Sequence, residues 1–219
     1  NLTSDLSASD FTVSLWAKFG TDEGLYIVTQ SKTTGASYSS EWFIGFHSSN
    51  KIFWFRAVEL GTLSDYEDNQ WHYFTMVWDN SAGKYTGYVD GVSLGLSGDV
   101  SGIGNTGSIK LGARGDGTSS FYKGYMKNVG IWSRALSQTE IQNVMYKTYG
   151  ELAGTETQGL VGWWGLDRTY LDATDNDNDG TNNGSTITFS KYGGNVPKIP
   201  RGVDNSPSTR ADIIGNGSA

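Results

Sequence analysis

Residues 172–180 read DATDNDNDG, and within them Asp175, Asp177 and Asp179 precede Gly180 as D-x-D-x-D-G. Carboxylates at alternate positions converge on one hard cation while the glycine permits a sharp turn, so the spacing is that of the first half of a calcium loop. The second half is missing: the twelfth position of that register is Thr186, where a bidentate glutamate belongs. Two readings stand. Asp172, Asp175, Asp177 and Asp179 hold a structural calcium ion, or the stretch is a polar turn in which Asp and Asn side chains bond nearby backbone.

Carbohydrate recognition is the second chemistry with residues to support it. The C–H faces of a sugar stack on aromatic rings while its hydroxyls seek hydrogen bonds, so a site needs rings beside polar groups. Trp42, Trp54, Tyr66 and Tyr38 are the candidates, with Trp78 on a nearby strand and the polar run 57–70 as a rim. For each ring, packing inside a core is the competing reading. Trp16, Trp132 and Trp163 are expected in the core.

Catalysis finds little support. The chain has two histidines, His47 and His72, far apart in sequence, and His72 follows Trp71 at a strand entry where a structural role is expected. A retaining glycosidase needs two carboxylates about 5 Å apart, and no strand here carries them in alternation. Glu41, Glu59 and Glu67 are isolated, and Glu140 belongs to a helix cap. The chain is expected to be non-catalytic.

The elements that must position these residues are strands. Short apolar runs separated by turn residues recur along the chain, the pattern of an all-β fold. FTVSLWAKF (11–19) alternates, with Phe11, Val13, Leu15 and Ala17 on one face. Further strands are expected over 24–31, 41–47, 51–58, 70–79, 84–91, 92–98, 108–114, 121–136, 159–167 and 185–192. Val-Asp-Gly at 89–91 signals a hairpin turn, because Asp-Gly tolerates positive φ. One helix is expected: Ser137 with Glu140 three residues on forms a capping box, and Ile141, Val144 and Met145 share a face. Residues 149–158 read as a polar linker, and 193–219, which hold all three prolines, as an extended tail.

The 219 residues suffice for one large β domain. A net charge of −7, without clustered Lys and Arg, speaks against nucleic acid and against an anionic membrane surface. No apolar run approaches the roughly 18 residues that a membrane-spanning helix needs. Zero cysteines exclude disulfides and thiolate metal sites, which fits a cytosolic protein and equally an exported bacterial or virion protein. The first residue, Asn1, reads as the start of a processed chain or of a piece of a longer one.

Taken in order, FTVSLWAKF, QWHYFTMVWD, YTGYVDGV, IKLGAR and FYKGYMKNVGIWSRALSQTEIQNVMY resemble the laminin-G-like, concanavalin A-like jelly-roll family. The resemblance covers about residues 6–146. It implies a sandwich of two antiparallel sheets with one short helix, residues 1–148 forming its body. Residues 159–192 resemble the family's opening strands, yet here they follow the closing helix, so the chain order looks rotated and 159–192 is expected to complete the sandwich. Rotated modules of this kind are similar to those in tail-fibre and virion proteins of marine bacteriophages. The resemblance implies a non-catalytic carbohydrate-binding or adhesion module on a virion or bacterial surface. Its implied partners are a glycan or cell-surface polysaccharide and neighbouring virion subunits or tandem modules. The alternatives are a purely structural virion module and a glycan-degrading enzyme.

Overall fold

Apolar alternation in the chain becomes two antiparallel sheets facing each other. The computed structural model describes residues 6–20, 26–31, 41–47, 51–55, 58–97, 107–114, 121–167 and 169–183. In chain order the strands are β1 (Phe11–Lys18), β2 (Val28–Ser31), β3 (Glu41–His47), β4 (Lys51–Phe55), β5 (Val58–Leu60), β6 (His72–Asp79), β7 (Lys84–Val89), β8 (Val92–Leu96), β9 (Lys110–Leu111), β10 (Tyr125–Trp132) and β11 (Leu160–Trp164), with α1 (Gln138–Val144) between the last two. One sheet has six strands in the order β11-β10-β1-β6-β7-β8; the other has five, β5-β4-β3-β2-β9. This is the two-sheet jelly-roll architecture that the sequence pattern implies.

Between the sheets, Val13, Leu15, Phe74, Met76 and Ile131 meet Trp42, Ile44 and Phe53. A second apolar cluster lies on the other side of the six-stranded sheet, where Trp16, Tyr73, Trp132 and Trp163 pack under Ile141, Val144 and Met145 of α1. The strand β1 is therefore covered on both faces, although its sequence alternates. The polar Ser14 on its helix-facing side is buried and accepts a hydrogen bond from the Tyr73 hydroxyl at 2.7 Å. The expected capping box forms at α1: the Ser137 hydroxyl accepts from the Glu140 backbone N–H, and the Glu140 carboxylate accepts from the Ser137 N–H. The β7–β8 turn places Asp90 at φ 51° and Gly91 at φ 73°, the left-handed region that the Val-Asp-Gly signal requires.

Residues 149–158 are not an extended linker. They form two short 3-10 turns, Tyr149–Glu151 and Gly154–Thr157, docked on the body of the fold. Leu152 joins the α1 cluster, and the buried Glu156 carboxylate caps the Ala153 N–H and pairs with Lys147. The Trp132 indole N–H donates to the Glu156 carbonyl at 2.7 Å, which ties the segment to β10. Beyond it, β11 pairs antiparallel with β10, Gly130 opposite Trp163 and Val129 opposite Trp164. The strand expected at 185–192 and the tail 193–219 lie outside the described residues. Among the described residues no helix is long and apolar enough to cross a membrane.

Candidate functional site

The irregularity that shapes the surface sits in the middle of β10. Gly130 pairs with Ser14 and Lys127 with Trp16, so Leu15 of β1 faces two residues, Asn128 and Val129. Asn128 lies at this bulge, at φ 49°. A bulge bends its strand and re-aims a side chain, and asparagine enters the left-handed region more readily than most residues. The Asn128 N–H donates to the Gly165 carbonyl at 3.1 Å, and its Nδ2 reaches the Lys147 carbonyl at 3.5 Å. Opposite it, Leu166 is also left-handed, at φ 57°. A leucine there costs on the order of 1–2 kcal/mol, strain of the kind that gathers at binding sites.

An open cleft of about 400 Å³ lies between these two points, lined by Asn128, Thr148, Tyr149, Asp167, Thr169 and Leu171, with Trp163 and Asp172 also in its wall. The Glu151 carboxylate holds one wall by accepting from the N–H and hydroxyl of Thr148, at 2.8 and 2.9 Å. On the other wall, the Thr169 hydroxyl oxygen accepts from the Leu171 N–H at 2.9 Å. Beside the cleft, the Lys127 ammonium lies 5.1 Å from the centre of the Trp71 ring, a cation–π contact. Burial lowers the Lys127 pKa and the nearby Asp167 opposes that shift. Ring, amide, hydroxyl and carboxylate thus meet on one rigid strand and two pinned loops.

The aspartate-rich stretch enters the cleft wall at Asp172 and Ala173, and its carboxylates take up hydrogen bonds of the turn. Asp172 is 9% exposed. Its Oδ1 accepts from the N–H groups of Trp163 and Thr174, at 2.9 and 3.0 Å. Its Oδ2 accepts from the Thr174 hydroxyl at 2.9 Å and the Asn178 N–H at 3.1 Å. Asp179 accepts from the Asp172 N–H, while Asp175 and Asp177 point into solvent-exposed positions. Among the described residues no three carboxylate or imidazole groups come together to hold a metal. The Asp172 carboxylate, with four donors, is the hydrogen-bonding hub of the turn.

Those same residues cover an edge. Among the described residues β11 is the outermost strand of its sheet. The Trp163 N–H goes to Asp172, and the Trp163 carbonyl accepts from Ala173 N–H at 2.8 Å. The Val161 carbonyl accepts from the side-chain amides of Asn176 and Asn178, at 3.1 and 3.0 Å, and Asn176 also reaches the Leu160 carbonyl at 3.3 Å. Side chains here stand in for a seventh strand, a device that blunts edge-to-edge pairing.

Among the described side chains, the aromatic residues singled out by sequence lie in different places. Trp42 is 0% exposed, its ring 5.1 Å from that of Phe11 and its indole N–H donating to Gln30. The reason is strand alternation: Trp42 and Ile44 point inward on β3, and Phe43 points the other way, against Tyr26. Trp78 is likewise buried, donating to the Ser7 carbonyl. Trp54 is paired with Phe43 and Glu59 along the five-stranded sheet, while its side chain and all of Tyr38 lie outside the described residues. Tyr66 is half-buried against His72 and Phe74, and burial, then Asp65 and Asp90, push its hydroxyl pKa up. His72 bonds Asp90 at 2.8 Å and contacts Asp68; the Asp90 hydrogen bond raises its pKa. Since Asp90 also accepts from the Tyr73 N–H, this group ties the β7–β8 turn to β6. Asn128, Tyr149 and Asp167 went unremarked in the sequence. The signal for Asn128 was present: in YMKNVGIW the inward residues shift from Met126 to Val129 and Ile131, a change of phase that requires one extra residue.

A model of the concanavalin A-like lectin/glucanases superfamily matches residues 2–142. Among solved structures, the chain is similar to one described as a "putative carbohydrate binding protein" from Bacteroides ovatus, with a TM-score of 0.53 and 18% identity. That similarity covers 84% of this chain and 54% of the other, so the chain spans about half the length of that protein. It is also similar to the CBM40 of the Ruminococcus gnavus IT-sialidase, bound to sialyllactose, with a TM-score of 0.46, 12% identity, and coverage of 63% and 83%. No curated protein matches the chain.

Proposed function

The chain belongs to the concanavalin A-like lectin/glucanases superfamily, and we propose that it is a non-catalytic carbohydrate-binding module that holds its glycan in the cleft at the β10 bulge. The observation that carries this is Asn128, held left-handed in the wall of an open cleft whose other walls supply Tyr149, Thr148, Thr169 and Asp167. A shallow site with a ring, an amide and a few hydroxyl or carboxylate groups suits a sugar, which offers C–H faces and many hydroxyls. The similarity to the Bacteroides ovatus protein supports the reading at the level of fold. A glycosidase of the common retaining or inverting kind needs two working carboxylates. Among the described residues the cleft wall has two, and Asp172 accepts from four donors within the fold. We place such a module at an extracellular or virion surface, where polysaccharide is met, with neighbouring modules as its protein contacts.

The test is titration against a glycan array with Asn128→Gly and Tyr149→Ala. Glycine keeps the left-handed backbone and removes only the amide, so the fold is retained. Each variant is expected to lose roughly tenfold in affinity, about the worth of one hydrogen bond or ring contact. Unchanged binding in both, with intact folds, would show that the cleft is not the site.

A further inference from the structure

We propose that the cleft takes a neutral glycan through adjacent hydroxyls and rejects sugars bearing a carboxylate or sulfate, with Asp167 setting that choice; this rests on the carbohydrate-binding reading above. Recognition of an anion calls for a guanidinium, an ammonium or a nest of unspent backbone N–H groups. Among the described residues, the cleft wall contains Asp167 and Asp172 and neither lysine nor arginine. The cations nearest to it have carboxylates beside them: Lys147 pairs with Glu156, and Lys127, over the Trp71 ring, has Asp167 nearby.

Several backbone donors of the wall are engaged within the fold. Asn128 N–H goes to the Gly165 carbonyl, Leu171 N–H to Thr169, Asp172 N–H to Asp179, and Ala173 N–H to the Trp163 carbonyl. The exposed Asp167 carboxylate, with two acceptor oxygens, accepts from two neighbouring hydroxyls of one sugar ring. An incoming sugar carboxylate therefore meets like charge and, among the described residues of the cleft wall, neither lysine nor arginine.

The experiment compares neutral glycans with carboxylated or sulfated glycans of the same core, on the parent chain, Asp167→Asn and Arg168→Ala. Position 168 lies outside the described residues, and its variant checks whether that cation governs the choice. The parent is expected to prefer the neutral forms by roughly tenfold or more, and Asp167→Asn to lose about tenfold for them and narrow the preference, with its melting temperature kept. Preference for acidic glycans, above all one lost in Arg168→Ala, would overturn this inference while leaving carbohydrate binding intact. An Asp167→Asn chain that discriminates like the parent overturns the role given to Asp167. A chain that binds glycans of neither class overturns the carbohydrate-binding reading and this inference with it.

Discussion

Asp172→Ala is the substitution that most directly separates an edge-capping carboxylate from a calcium ligand. Its Oδ1 is the acceptor for two N–H groups, those of Trp163 on β11 and Thr174, both on residues less than a tenth exposed. Removing an acceptor from a buried donor costs about 1–3 kcal/mol, so the two together are expected to cost about 2–6 kcal/mol. The Thr174 hydroxyl and Asn178 N–H, on the other oxygen, rearrange towards water at smaller cost. Against a total stability of about 5–15 kcal/mol for a typical domain, that is a large loss. Urea denaturation followed by tryptophan fluorescence measures it, since Trp163 and Trp164 sit on the strand that loses its cap. Asp172→Asn keeps one acceptor oxygen and presents an NH₂ to the other donors, so it is expected to lose about half as much. Both losses should be the same in calcium and in chelator. A loss below about 1 kcal/mol, or one seen only when calcium is present, would refute the account of Asp172 as a hydrogen-bond hub.

Two further outcomes follow from the same geometry. Removing both amides with Asn176→Ala and Asn178→Ala uncovers the Leu160 and Val161 carbonyls on the sheet edge. That variant is expected to self-associate more than the parent in sedimentation at matched concentrations, and identical sedimentation would show that the edge is protected by something else. For His72, whose folded pKa lies above 6.5 chiefly through its Asp90 bond, the contribution to stability is full below pH 6.5 and is lost as pH rises through the raised value. Melting temperatures across that window should fall more for the parent than for His72→Gln; parallel curves would mean that the Asp90 contact does not couple to folding.

The sequence alone determined most of the described strands and where the described helix starts, because those are local matters, whereas β5 at 58–60 falls within the run read as a polar rim. Alternation in FTVSLWAKF, Asp-Gly at 90–91 and the Ser137–Glu140 pair act over a few residues, and the structure contains β1, the left-handed turn and the capping box at those places. Motif order likewise pointed to the superfamily whose model matches residues 2–142. Tertiary structure decided the rest. Trp42 looked like a possible platform, and only the packing of β3 against Phe11 turned it inward. Residues 149–158 looked like a linker by polarity, yet Glu156 gains a lysine and Leu152 an apolar cluster once α1 and β10 are in place. The alternating aspartates permitted a calcium loop or a turn, since spacing shows which groups are near and not what else competes for their oxygens. Pairing of β11 with β10 left backbone groups on its free edge that needed partners, and Asp172, Asn176 and Asn178 supplied them. Asn128 reached the cleft for a similar reason: opposite Leu15 the pairing of β10 with β1 leaves room for one residue where the chain has two, and the extra one lines the cleft with Asp167 and Tyr149.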